Sequence, residues 1–129
     1  MPAHAQDDLK NAGVTAVGLQ PAVYTTTTAG TGRDMSMAVG PIHAVVAIGV
    51  VHADTTAVIS FTESATVSGT YTAITGATSI TFIGTADGTV VVSVPFEPTL
   101  PFVKATITTS GATESAGCSV IFEGMKKSF

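Results

Sequence analysis

Beyond about residue 13, the apolar positions of this chain recur at every second residue. In "TAVISFT", Ala57, Ile59 and Phe61 alternate with Val58, Ser60 and Thr62. Ile80 and Phe82 alternate with Ser79 and Thr81; Val103, Ala105 and Ile107 with Lys104, Thr106 and Thr108; Cys118, Val120 and Phe122 with Ser119, Ile121 and Glu123. Successive side chains of a strand point to opposite faces, so a period of two predicts strands with one buried and one solvated face. Val, Ile and Thr dominate, and helix interiors avoid such repeated β-branching. Strands are predicted over 14–19, 22–28, 34–39, 42–52, 56–62, 69–75, 78–84, 88–95, 101–109 and 117–124.

The punctuation between these runs agrees. Asp87-Gly88 separates "TFIGTA" from "TVVVSV" and predicts a hairpin turn, because Gly accepts a positive φ. Ser68-Gly69 and Thr75-Gly76 mark further turns. Pro95, Pro98 and Pro101 fall within "PFEPTLP", which must therefore cross between strands instead of pairing as one. The fold class expected is all-β, a single antiparallel β-sandwich or jelly-roll-like domain over 13–129. Residues 1–12 are polar and without pattern, and read as an N-terminal arm.

One window breaks the alternation. In "IHAVVAIGVVHA" (42–53), an apolar run extends from Ala44 to Val51 between His43 and His52, with Pro41 just before. A spanning helix needs roughly 20 apolar residues, so no membrane partner is expected; a strand apolar on both faces is. A two-layer sandwich buries only one face of a strand, and the other needs a cover. Val45, Val46, Ile48, Val50 and Val51, together with Phe102, are therefore the candidate interface.

Composition strengthens that expectation. Hydrophobic residues make up 45% of the 129, but charged residues only 11%, against about 25% in an average soluble domain. Small neutral residues fill the deficit, as suits a surface packed against other proteins. The net charge of −4 with only five Lys and Arg leaves no basic face for phosphates, so no nucleic-acid partner is expected. Asp7 and Asp8 stand where a signal peptide would carry its apolar run, so the chain is expected to stay in the cytoplasm in which it is made or to leave by a route other than a cleaved signal.

Candidate chemistry is sparse. His43 and His52 are an odd number of residues apart and would face opposite ways along a regular strand, a poor metal pair; they read as strand-end histidines near solvent or a subunit contact. Cys118 is the lone cysteine, shares the apolar side of its strand with Val120 and Phe122, and reads as an inert thiol. "AGTGRD" (29–34) lacks the Lys-Ser/Thr pair of a phosphate loop and reads as a turn, with Arg33 and Asp34 as a weak local or intersubunit ion pair. Asp54, Glu63, Asp87, Glu97, Glu114 and Glu123 are scattered, mostly beside turns, and read as residues that solvate loops. With no Trp and only Tyr24 and Tyr71, aromatic platforms for sugars are short. No catalytic residue, metal ligand or cofactor is expected.

From about residue 35 the segment order is "HAVVAIGVV", "TAVISFTES", "GTYTAITGA", "GTVVVSV", "PFVKATITTSGA" and "CSVIFEGMKK". This order resembles small virion structural proteins of tailed bacteriophages, of the head-decoration or cement type. Leu100, Phe102, Val103 and Lys104 match a strand that in that group carries Tyr and Arg where Phe102 and Lys104 stand. Gly124, Lys126 and Lys127 match its closing strand. The resemblance covers about two thirds of the chain and implies no catalytic residues. It implies a β-sandwich protein on the capsid surface of a virion, bridging subunits of the major capsid protein as a homo-oligomer (dimer or trimer). A tail, head–tail connector or fibre-associated domain is the alternative within a virion. An adhesin-like carbohydrate-binding module is the alternative outside one.

Overall fold

The computed structural model describes residues 13–84 and 90–126. The arm expected over 1–12 and the Asp87-Gly88 turn lie outside these residues. Ten strands and no helix occur among them: β1 (Gly13–Tyr24), β2 (Thr28–Ala29), β3 (Arg33–Asp34), β4 (Ala38–Val51), β5 (Thr55–Ser64), β6 (Thr72–Ala73), β7 (Ile80–Ile83), β8 (Val90–Phe96), β9 (Phe102–Gly111) and β10 (Ala116–Lys126). The first sheet runs β1-β10-β4-β8. In the second, β9 and β5 are central; β2 and β3 share the edge beside β9, and β6 and β7 share the edge beside β5. All pairings are antiparallel.

With each broken edge counted as one strand, the positions run 1-8-3-6 in one sheet and 2-7-4-5 in the other. That is the connectivity of a jelly roll. It also corrects the hairpin expected at Asp87-Gly88, because β7 pairs with β5 in the second sheet while β8 pairs with β4 in the first. The turn residues announce a change of direction, but a partner is chosen by complementary faces far apart in sequence.

Some strand boundaries differ from the alternation. The expected strand 14–19 and the first part of 22–28 form one edge strand, β1, with register shifts between Val17 and Leu19 and between Leu19 and Ala22, while Thr28 begins β2 in the other sheet. Pro21 sits in the second shift, where a missing backbone donor is tolerated at a sheet edge. The strand expected over 34–39 is interrupted because Asp34 accepts a hydrogen bond from the Ser36 amide at 2.9 Å and turns the chain. Of 69–75, only Thr72–Ala73 pairs; Ile74 then folds over the core at 4% exposure. In β4, Gly40 adopts φ 74° at an irregularity opposite the end of β10, a conformation that glycine takes without steric cost.

The core forms where the inner faces meet. Ala44, Val46, Ile48, Val120 and Phe122 from the first sheet face Ala57, Ile59, Phe61, Ala105 and Ile107 from the second, all buried. Large and small residues alternate across strands: Phe122 stands opposite Ala44, and Phe61 opposite Ala105. The space beside each alanine admits a ring, and three rings join the sheets. Phe61 stacks on Phe96 at 5.2 Å, and Phe122 presents edges to both at 6.3 Å.

Two chain crossings close one end of the sandwich, β4 to β5 and β9 to β10. The buried Thr55 hydroxyl donates to the Thr113 carbonyl at 2.6 Å and accepts from the Ser115 amide at 3.0 Å. The His52 amide donates to the Ser115 carbonyl at 2.8 Å. Elsewhere, Glu63 is almost fully buried and accepts from the Thr99 hydroxyl at 2.6 Å and the Thr99 amide at 3.1 Å, pinning the proline-rich crossing to β5. This corrects the reading of Glu63 as a solvated loop residue. Its donors lie 36 residues away in sequence, beyond the reach of a local pattern.

Candidate functional site

The outer faces of the two sheets differ in chemistry. On the second sheet, β5 and β9 present Thr56, Val58, Ser60 and Thr62 beside Ser110, Thr108, Thr106 and Lys104, and Ile83 of β7, next to Thr56, is 72% exposed. Threonine supplies β-branching for the strand and a hydroxyl for water. Lys104 lies over the Tyr71 ring at 3.9 Å, and the Tyr71 hydroxyl donates to the Val67 carbonyl at 2.8 Å. One face of that ring is therefore occupied by Lys104.

The first sheet gathers apolar side chains outside as well as inside, though Thr15, Ser119, Ser93, His43 and Glu123 also lie on its outer face. Val17, Ile121 and Val45 stand side by side across β1, β10 and β4. Ala47 and Val91 form the next row towards β8. Val23 and Val50 are each 66% exposed and Val91 65%. At the other end Met125 stands opposite Val39, both exposed. These residues and Gly124 flank a recess of about 560 Å³ that also takes in Pro41, His43 and Glu123. Scattered exposed valines need no explanation, but a face that gathers Val17, Ile121, Val45, Ala47 and Val91, although crossed by Ser93, Ser119, His43 and Glu123, is a candidate docking surface.

The structure divides the six candidate interface residues. Val45 is half-buried and Val50 exposed on this outer face. Val46, Ile48 and Val51 point into the core, at 0%, 2% and 3% exposure, which removes them from any surface. Val51 faces inward three residues after Ile48 because β4 carries an extra residue there: Ile48 and Val51 pair with Cys118 and Ala116. Phe102 is half-buried at the start of β9, between Asp34 and Ser64. It lies in the second sheet, apart from the others. The residues missed by reading 42–51 alone are Val17, Val23, Val91 and Ile121. The outward positions of Val17, Val91 and Ile121 follow from the alternation of their own strands, that of Val23 only from the register shifts of β1, and their adjacency to Val45 depends on strand order.

The groups with chemical potential do not assemble into a reactive centre. His43 and Ser93 approach at 3.3 Å on the outer face, and Glu123 stands opposite His43 in register. All three are exposed on an open sheet. His52 lies beyond β4, where its Nδ1 accepts from the Asp54 amide at 3.2 Å and helps shape the crossing. Among the described residues, no three His, Cys, Asp or Glu side chains gather as a metal ion would require. Arg33 and Asp34 do not form the local pair expected of them. Arg33 Nε donates to the Val17 carbonyl at 2.7 Å, whereas hydrogen bonds from Ser36, side chain first and then backbone, hold the Asp34 carboxyl below its ordinary value.

Cys118 faces the core, and burial pushes its thiol from 9.0 up to about 11. The thiolate is thus suppressed in the folded state. Because the folded protein holds this proton more tightly than the unfolded chain, the contribution to stability is complete below pH 9 and is lost as the pH rises towards 11. Iodoacetamide at pH 8 should label Cys118 only as fast as the sandwich opens. The denaturation midpoint should fall between pH 9 and 11 by more in the native chain than in Cys118→Ala. Rapid labelling of the folded protein would show that the thiol is accessible.

No family model, curated protein or solved structure matches this chain.

Proposed function

We propose that this protein is a virion structural protein of the bacteriophage capsid-decoration, or cement, type. It docks through the outer face of its first sheet onto the outside of the head shell and bridges neighbouring subunits of the major capsid protein. It acts there as a homo-oligomer, dimer or trimer. The observation that carries this reading is the gathering of Val17, Ile121, Val45, Ala47 and Val91 on the outer face of the first sheet, where the second sheet presents mainly threonine, serine and lysine around Val58 and Ile83. The segment-order resemblance supports the placement on a phage particle. Jelly rolls build capsid and lectin domains alike, so the fold alone does not choose between them.

The mechanism is linkage. A protein that binds the assembled shell and not its separated subunits stabilises the shell by mass action. Each contact is modest, but many symmetric copies act together. An apolar sheet face suits such docking, because it is non-directional and needs no catalytic geometry, and the low charge of the chain leaves few ions to desolvate.

The test is a count of copies on purified particles by quantitative mass spectrometry and electron cryomicroscopy. Copies matching the number of shell subunits, within a small factor, support decoration. A single ring of copies assigns the chain to the tail or connector. Absence from particles, together with glycan binding by the isolated monomer, favours the adhesin-like reading.

A further inference from the structure

A second feature lies along β1, bordering the apolar face at Val17, and is inferred without the docking reading. The bulged part of β1 and the segment 28–31 enclose a groove of about 360 Å³, with Arg33 in its wall. This volume is within the range of small binding clefts. Tight backbone contact shapes the groove: a side chain on Gly30 would strike the Gly18 carbonyl, so the edges of the two sheets meet there without intervening atoms. Arg33 is the only charged residue in the lining; the rest are apolar or neutral, including Thr28, Thr31 and Gln20.

Arg33 is half-buried and already partly oriented. Its one side-chain hydrogen bond among the described residues runs from Nε to the Val17 carbonyl of the edge strand β1. Its sequence neighbour Asp34 is engaged with Ser36. A guanidinium held through Nε keeps both terminal nitrogens as a planar fork, the geometry that binds a carboxylate with two hydrogen bonds. Within the groove lining, Arg33 is a positive spot among neutral groups. Charge complementarity therefore selects an acidic ligand. The groove follows the edge of β1, which favours an extended segment over a compact ion.

We propose that this groove is a carboxylate-binding site, in which Arg33 takes the Asp or Glu side chain of an extended segment of a partner protein. The full chain, labelled with ¹⁵N, is titrated with an acetylated Ala-Val-Asp-Val-Ala amide. The same peptide with Asn in place of Asp keeps the shape and removes the charge. A third peptide carries Asn and a free C-terminal carboxylate. The Asp peptide should produce saturable shifts at the Arg33 Nε–H and at the amides of Val17, Gly18 and Thr31, and the other two should not. Arg33→Gln should weaken binding by about tenfold or more, the range expected for a lost charge-assisted pair. If Arg33→Gln fails to fold, Ala29→Leu fills the groove from an exposed position without touching the Arg33–Val17 bond, and should also abolish the shifts. Equal binding of the Asp and Asn peptides, binding of the C-terminal carboxylate alone, unchanged binding in Ala29→Leu, or no saturable shift would each overturn the proposal.

Discussion

Val46→Asp should unfold this protein, whereas Val45→Asp should leave it folded and, on the decoration reading proposed above, abolish its binding to shells. The two positions are adjacent in β4 but face opposite ways. Val46 is fully buried, opposite Val120 on one neighbour and Val92 on the other. A carboxylate there has no donor and must be buried charged or protonated. Either costs more than about 4 kcal/mol, a large share of the roughly 5–15 kcal/mol that a domain of this size holds in total. Val45 lies in the outer row between Ile121 and Ser93. An Asp at this position reaches water and costs the fold about 1 kcal/mol, mainly in strand preference and lost contact with Ile121. In the docked state it would place an unpaired charge in an apolar interface, and association with shells should fall by at least about tenfold. Circular dichroism and denaturant titration read the first effect, and co-sedimentation with shells reads the second. Unfolding of both variants would mean that β4 serves the core alone. Undiminished binding of Val45→Asp would move the docking surface elsewhere.

Phe122→Ala should be the most damaging neutral substitution. The ring is fully buried, contacts the rings of both Phe61 and Phe96, and stands opposite Ala44. Gly18 of β1 packs directly over it; a Cβ at that glycine would lie 2.8 Å from two ring carbons. Glycine and alanine neighbours cannot expand into the space that the ring would leave. The cavity therefore persists, and the loss should reach about 3–5 kcal/mol, the upper range for deleting a buried aromatic ring. The next residue in β10 provides the contrast. Ile121 faces outward at 36% exposure, and Ile121→Ala should cost less than about 1.5 kcal/mol in the isolated protein. Denaturant midpoints at constant slope measure both. A similar loss at both positions would mean that the outer face of the first sheet is already covered in the isolated protein, for example by self-association.

The resolving power of the sequence is clearest in β10 and β4. In β10, Cys118, Val120 and Phe122 alternate with Ser119, Ile121 and Glu123, and the structure buries the first set and turns the second outward. A pleated strand enforces this period wherever one face is covered, so no knowledge of the partner strand is needed. The two-sided apolarity of 42–51 was equally legible. Which valine faces which way was not, because the extra residue between Ile48 and Val51 shifts the parity and becomes visible only against β10.

Partner choice was not legible from local signals. Asp87-Gly88 suggested that β7 and β8 pair, yet they lie in different sheets, and β5 pairs with the distant β9, from Ser64 opposite Phe102 to Thr55 opposite Gly111. Closing a longer loop adds little entropy cost, so a match of distant faces outweighs a favourable turn between neighbours. The same reason hid Glu63, whose donors at Thr99 arrive from the far crossing, and Arg33, whose carbonyl partner is on an edge strand sixteen residues earlier.

Period, composition and turn residues thus established an all-β sandwich with an apolar strand in need of a second cover, since each rests on sterics and solvation within a few residues. The order of strands, the gathering of Val17, Ile121, Val45 and Val91 on one outer face, and the placement of Arg33 in a groove were decided by tertiary structure. They depend on which distant faces meet, and that is a property of the whole chain.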